Sequence, residues 1–112
     1  MPNVLLSHLA EIDLEEIWNF ISATDSNSAD YVLDEIAQES EVLALQPLMG
    51  RARTDLQANL RWWPSSTSFA IYYLPTYHGI TLVRVLHQSM DINSKYFGNY
   101  SILINVDLTP IN

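Results

Sequence analysis

The sequence predicts an α+β fold: an N-terminal helical hairpin packed on a small antiparallel β-sheet, in the order β-α-α-β-β-β, followed by a short C-terminal helix and an extra C-terminal strand. Three observations predict it. Apolar residues recur at helical spacing through two adjacent segments before Pro47. After Pro47 the pattern changes to short aromatic and β-branched runs separated by turn residues. A chain of 112 residues with 48% hydrophobic content can fill one compact core.

The elements follow in order. Asn3 to Leu6 is a short apolar stretch that reads as a strand. Ser7 is a plausible N-cap for a helix over about residues 8–23, whose stripe is Ala10, Leu14, Ile17, Trp18 and Ile21. Glu11, Asp13, Glu15 and Glu16 are placed largely off that stripe, and the earliest of them suit the helix dipole. Thr24 to Ser28 is dense in turn and capping residues, and Ser26 or Ser28 is expected to cap a second helix. Its stripe runs Ala29, Val32, Leu33, Ile36, Ala37, Ser40, Leu43 and Ala44, and Pro47 stops it. A short polar turn between two amphipathic helices gives an antiparallel hairpin.

Residues 47–51 read as a loop. Leu60 to Trp63 is a β-prone segment closed by Pro64, Phe69 to Leu74 is a strand, and residues 75–79 form a turn. Ile80 to Leu86 is almost continuously apolar, which suits a strand buried on both faces. Asp91 is expected to cap a short helix reaching Phe97, ended by Gly98-Asn99. Tyr100, Ile102, Ile104, Val106 and Leu108 alternate with other residues, a period of two that predicts a further strand.

Charge and composition exclude several classes. The formal net charge is -8, which argues against a general nucleic-acid binder. Residues 1–50 carry ten carboxylates and no lysine or arginine, hence -10; residues 51–112 carry five cations against three carboxylates, hence +2. Such a split describes either a solvated acidic helical face or a molecule with two electrostatic faces, one of which meets a partner. The absence of cysteine excludes disulfides and thiolate metal sites. His87 and Asp91 have no evident third ligand, so no metal and no cofactor is expected. The first residues lack the basic and apolar regions of a signal peptide, and no apolar run approaches the ~20 residues of a membrane span. A cytoplasmic, membrane-free protein is the expectation.

Several motifs then line up in order. They are Leu6-Ser7, Ala10-Glu11, Asp13-Leu14 and Glu16-Ile17-Trp18; Ser28-Ala29; Leu45, Pro47, Gly50-Arg51 and Arg53; Asp55-Leu56 and Asn59-Leu60-Arg61; Ile71-Tyr72-Tyr73; Gly79-Ile80 and Val83 to His87; and Asp91-Ile92 with Phe97. Together they resemble the ParE/RelE superfamily of toxins, closer to the ParE branch, over about residues 4–97. The resemblance implies one toxin-like domain over residues 1–97 and a strand-like extension over 98–112. It further implies the toxin of a type II toxin–antitoxin module, a class associated with plasmid stabilisation. Such a toxin inhibits an essential target, with DNA gyrase expected for the ParE branch. The implied partner is a ParD-like antitoxin, which lays an extended or helical segment on the toxin within a hetero-oligomer. RelE-like relatives cut mRNA in the ribosome, which makes a ribosome-dependent endoribonuclease the alternative. An inactive homologue that only binds its antitoxin is a third reading. The chain departs from the family's pattern at Asn59, where glycine is usual, at Trp62 to Ser65, and at Gln88-Ser89-Met90, where a basic pair is usual.

The candidate residues follow. A ribonuclease needs a general base, an acid and cations for the phosphate, and Arg61, Arg84, His87 and Tyr73 are the candidates. Arg84 interrupts an apolar strand: it is either a phosphate or target contact or a structural arginine paired with a carboxylate such as Asp91 or Asp55. For target or antitoxin binding the candidates are Arg51, Arg53, Arg61, Trp62, Trp63, Arg84, His87 and Gln88. Trp62 and Trp63 should point to opposite faces of one strand, one entering the core and one free to anchor an interface.

Overall fold

The computed structural model describes residues 2–97. The Gly98-Asn99 helix end and the expected strand from Tyr100 to Leu108 lie outside the described residues. The chain runs β1 (Asn3–Leu6), α1 (His8–Ser22), α2 (Ser26–Leu45), β2 (Arg51–Ala52), β3 (Arg61–Pro64), β4 (Phe69–Thr76), β5 (Gly79–His87) and a 3-10 turn at Ser94–Tyr96. The five strands form one sheet in the order β1-β5-β4-β3-β2. The meander β2 to β5 is antiparallel, as the short connections require. The sheet is mixed rather than wholly antiparallel, because β1 joins β5 in parallel, Asn3 opposite Gly79 and Leu6 opposite Leu82. The long connection that a parallel pair needs runs through the helical hairpin and strands β2 to β4.

The hairpin covers one face of the sheet. Ala10 and Ile17 of α1 and Ile36, Leu43 and Ala44 of α2 pack on Ile71, Tyr73, Ile80, Leu82 and Val85. The opposite face has its own core of Leu56, Leu60, Ala70, Tyr72, Val83, Leu86 and Phe97. β5 is thus buried on both sides, as its unbroken apolar run predicts. Between the pairs Tyr73–Leu82 and Tyr72–Arg84, Val83 is an extra residue that makes a β-bulge. The bulge resets the alternation. Val83, Arg84 and Leu86 all serve the second face, while Val85 returns to the helices.

Beyond Leu82 the outer edge of β5 has no strand beside it, and α1 seals it instead. Ser7 caps α1 by accepting from the Ala10 amide at 3.1 Å, and its hydroxyl donates to the Val83 carbonyl at 2.8 Å. Six residues on, Asp13 accepts from the Val85 amide at 3.0 Å and from Arg84 Nε and Nη2, both at 2.8 Å. Asp13 is only 6% exposed and belongs to the packed side of α1, not to the solvated acidic face with which Glu11, Glu15 and Glu16 group it. Arg84 is therefore paired with a carboxylate, but with Asp13 in place of Asp91 or Asp55.

Other local differences have simple causes. Asp25, not Ser26 or Ser28, caps α2, accepting from the Asn27 amide at 3.0 Å and the Ser28 hydroxyl at 2.7 Å. Asn93 rather than Asp91 caps the final turn, and that turn is 3-10, too short for an apolar period to define. β4 runs through Pro75 to Thr76, leaving a two-residue hairpin of Tyr77 and His78. Glu39 on α2 accepts from Trp63 Nε1 at 2.9 Å and from the Ser66 amide at 3.0 Å, which ties the β3–β4 turn to the helix. Partial burial opposes its charge, but the Ser66 and Trp63 hydrogen bonds outweigh that and hold its pKa below the ordinary glutamate value.

Two outcomes are expected. Asp13→Ala should cost about 3–5 kcal/mol in urea unfolding, because it strands a half-buried guanidinium and a strand amide. The double variant with Arg84→Leu should recover part of that loss. The stabilisation from Glu39, whose pKa is depressed in the folded state, should be complete above the ordinary glutamate pKa and vanish as pH falls through the lower folded value. Glu39→Gln should flatten that segment of an acid-unfolding profile.

Candidate functional site

The sequence-predicted residues separate onto two faces and two ends of the sheet. Arg61 and Trp63 project toward the helices, as does Tyr73 opposite Arg61. Trp62, Tyr72 and Arg84 occupy one rung across the other face. The two tryptophans thus point to opposite faces as expected, but both are partly buried. Trp63 is bound to Glu39, and Trp62 packs on the second core.

Tyr73 is fully buried, and its hydroxyl is committed at both ends. It donates to the Pro47 carbonyl and accepts from the Gly50 amide, each at 2.8 Å. Burial pushes this phenol's pKa up, against the opposing pull of the Gly50 amide and Arg61, so it stays protonated at neutral pH. Gly50 is required there, since a Cβ would collide with the Tyr73 ring. Arg61 Nη1 donates to the Gly50 carbonyl at 2.6 Å and the Leu48 carbonyl at 3.2 Å. The Pro47 to Gly50 loop is therefore clamped by two side chains that a catalytic reading would need free. The same segment presents Leu48, which is 70% exposed.

At the β2–β3 edge, Arg51, Ala52, Arg53, Asp55 and Trp62 line an open cleft of about 340 Å³. Arg53 forms a bidentate pair with Asp55, both contacts at 3.0 Å. That hydrogen-bonded carboxylate raises the Arg53 pKa, and Arg53 in turn lowers that of Asp55. Arg51 is exposed beside them. The backbone turns from this edge back to β3 through Asn59, whose φ of 65° is left-handed. Asparagine tolerates that conformation, so it can stand where the family pattern has glycine.

Arg84 is occupied by Asp13, and it also lies 5.9 Å from the Tyr96 ring centroid. His87 ends β5, edge-on to Phe69 at 5.3 Å, with Nδ1 2.7 Å from the Ser89 hydroxyl. Gln88 closes the β3–β4 turn, its amide nitrogen within hydrogen-bond reach of the Ser65, Thr67 and Phe69 carbonyls. The structure therefore brings Arg51, Arg53 and Trp62 together, turns Arg61 to the opposite face on the neighbouring rung, and sets Arg84, His87 and Gln88 apart from them. No group of three or more histidine, aspartate and glutamate residues is placed to hold a metal among the described residues. Among the same residues no helix is long and apolar enough to cross a membrane.

A feature the sequence did not reveal lies at the other edge. Val4 and Leu6 of β1, Leu14 of α1, and Leu33, Ala37 and their neighbours on α2 enclose an apolar groove of about 430 Å³. β1 is an edge strand, and the groove is bounded by its Val4 and Leu6 and by α2, an arrangement set by tertiary packing.

The chain's relatives agree with this architecture. Residues 4–92 match the family model of the ParE toxin of type II toxin–antitoxin system, parDE. Toxin ParE1 of Mycobacterium tuberculosis, in strains CDC 1551 / Oshkosh and H37Rv, is 35% identical over 91 residues, covering 80% of this chain and 92% of the relative. The fold is shared with a solved structure described as a chromosomal ParDE TA system from P. aeruginosa. Its TM-score is 0.65 at 16% identity, over 78% of this chain and 96% of the other. With a family match across most of its length and a sheet-and-hairpin fold to go with it, this chain belongs to the ParE toxin family of type II toxin–antitoxin systems.

Proposed function

We propose that this protein is a cytoplasmic toxin that acts by binding a protein target, with DNA gyrase as that target, and that a cognate ParD-like antitoxin neutralises it. One observation carries the preference for binding over bond-breaking. The residues a ribonuclease would need are held apart and engaged: Arg61 and Tyr73 clamp a loop on the helix side, Arg84 is paired with Asp13 on the other, and His87 sits at a strand end. General acid–base chemistry requires a base, an acid and a phosphate-binding cation around one reacting bond. The binding surface proposed is the β2–β3 edge, where Arg51 and Arg53 flank Trp62 in an open cleft. An arginine beside an aromatic side chain is a common anchor for a protein partner.

Expression of the chain alone should arrest growth with mRNA intact and with altered DNA supercoiling or broken DNA. Arg51→Glu combined with Arg53→Glu should raise the concentration needed to inhibit purified gyrase by roughly tenfold or more, a rim-to-core charge effect. Site-specific mRNA cuts lost in Arg61→Ala or His87→Ala would instead identify a ribosome-dependent nuclease. Antitoxin binding with no growth arrest would identify an inactive homologue.

A further inference from the structure

The loop between α2 and β2 is fixed at four successive residues. Side chains from the sheet bind three of its carbonyls: Tyr73 donates to Pro47, and Arg61 donates to Leu48 and Gly50. The Gly50 amide donates to the Tyr73 hydroxyl, and the Met49 amide to the Gln46 carbonyl at 3.0 Å. Surface loops are ordinarily the mobile parts of a domain, so this degree of restraint needs a reason. What the restrained loop holds outward is apolar. Leu48 is exposed, as are Val42 and Leu45 on the last turn of α2. Leu48 also forms one wall of an open cleft of about 300 Å³, together with residues that include Ala52, Asn59, Arg61 and Pro75. Ala52 borders the cleft of Arg51 and Arg53 as well, so an apolar hollow and a cationic one meet across the short edge strand β2.

We propose that Leu48 is the apolar anchor of the surface that meets the toxin's target, and that the target answers it with an apolar side chain flanked by carboxylates. The target's apolar side chain enters the cleft beside Leu48, and its carboxylates face Arg51 and Arg53 across β2. The assignment rests on the reading of the chain as a toxin that acts by binding a protein, and it specifies the chemistry of the target's surface. The sign of the charge follows from the two clefts, which hold Arg51, Arg53 and Arg61 against Asp55. That local excess is opposite in sign to the net charge of -8, and it selects a partner with local negative charge. A second copy docked through the same patch about a two-fold axis would set arginine against arginine. A nucleic acid would supply phosphates for the arginines, but it would be repelled by the chain as a whole. Arg61 and Tyr73 are positioning residues in this scheme. By holding the backbone before the target arrives, they reduce the ordering that association would otherwise require of the loop.

The test expresses the full-length chain and its variants from a titratable promoter and measures the level that arrests growth. Binding of the purified chains to purified gyrase is measured alongside. Leu48→Glu should raise the arresting level and weaken gyrase binding, each by roughly tenfold or more, with the unfolding midpoint unchanged. Leu48→Met, which keeps an apolar side chain of similar volume, should retain both activities. Phe20→Glu introduces the same charge at an exposed residue of α1 and should alter neither. Arg61→Ala should weaken binding in the unmodified chain and add little in the Leu48→Glu background, because the clamp acts through the leucine. Arrest and binding untouched by Leu48→Glu, an equal loss in Phe20→Glu, a loss in Leu48→Met, or full additivity of Arg61→Ala overturns the proposal and leaves the toxin reading standing. Arrest by the unmodified chain without gyrase binding removes gyrase as the target, and the same comparisons are then scored on arrest. No arrest by the unmodified chain overturns both readings.

Discussion

The fold depends on how α1 is fixed to the open edge of β5. A strand with no neighbour exposes donors and acceptors that cost free energy when buried unpaired. Here Ser7 and Asp13, one helical turn and a half apart, supply those partners from side chains. Asp13 does two things at once, because the carboxylate that accepts from Val85 also grips Arg84 through two nitrogens. A buried ion pair of this kind contributes little net stability against an apolar substitute, but it penalises any other position of the helix. Its value is registration: α1 can sit on the sheet in one place. The position of α2, of the groove beside β1, and of the whole hairpin follows from that placement.

The β-bulge at Val83 is the second device that organises the molecule. By inserting one residue it turns Arg84 toward the face that lacks helices, where Tyr96 and Tyr72 surround it. Without the bulge, the alternation would direct Arg84 into the helix-side core, where Ile71 and Tyr73 leave no solvent for a charge. The same face then closes over Leu56, Leu60 and Phe97, so a chain of modest length maintains two small cores instead of one. The cations are distributed by these demands. Arg84 and Arg61 are structural elements of the sheet, and the cleft at the far edge is left to Arg51 and Arg53.

Much of this was legible in the residues. The helical stripes of Ala10 to Ile21 and Ala29 to Ala44, the doubly buried run of Ile80 to Leu86 and the opposed tryptophans all follow from periodicity, and the structure has them. What periodicity cannot express is partnership across the chain. Asp13 looks like a member of an acidic surface, although it falls three residues after Ala10 and four before Ile17, the spacing of the packed stripe. That spacing was the available signal for its burial. The direction of β1 was hidden for a similar reason, since an apolar tetrapeptide has no polarity of its own and takes it from β5. The site was less legible than the fold. Sequence pattern grouped Arg61, Tyr73, Arg84 and His87 by chemical type, whereas strand alternation and the bulge divide them between faces.

The parallel contact of β1 with β5 has a consequence for when the molecule becomes complete. Ser7 and the Val83 carbonyl it binds are 76 positions apart. Bringing such distant points together carries a loop-closure cost, and contacts of this range slow folding. On a translating ribosome β1 cannot make its parallel pair until β5 has emerged. At about 5–20 residues per second, several seconds separate the emergence of β1 from that of β5. The parallel contact of β1 with β5 thus forms only after the helical hairpin and strands β2 to β4 have been made.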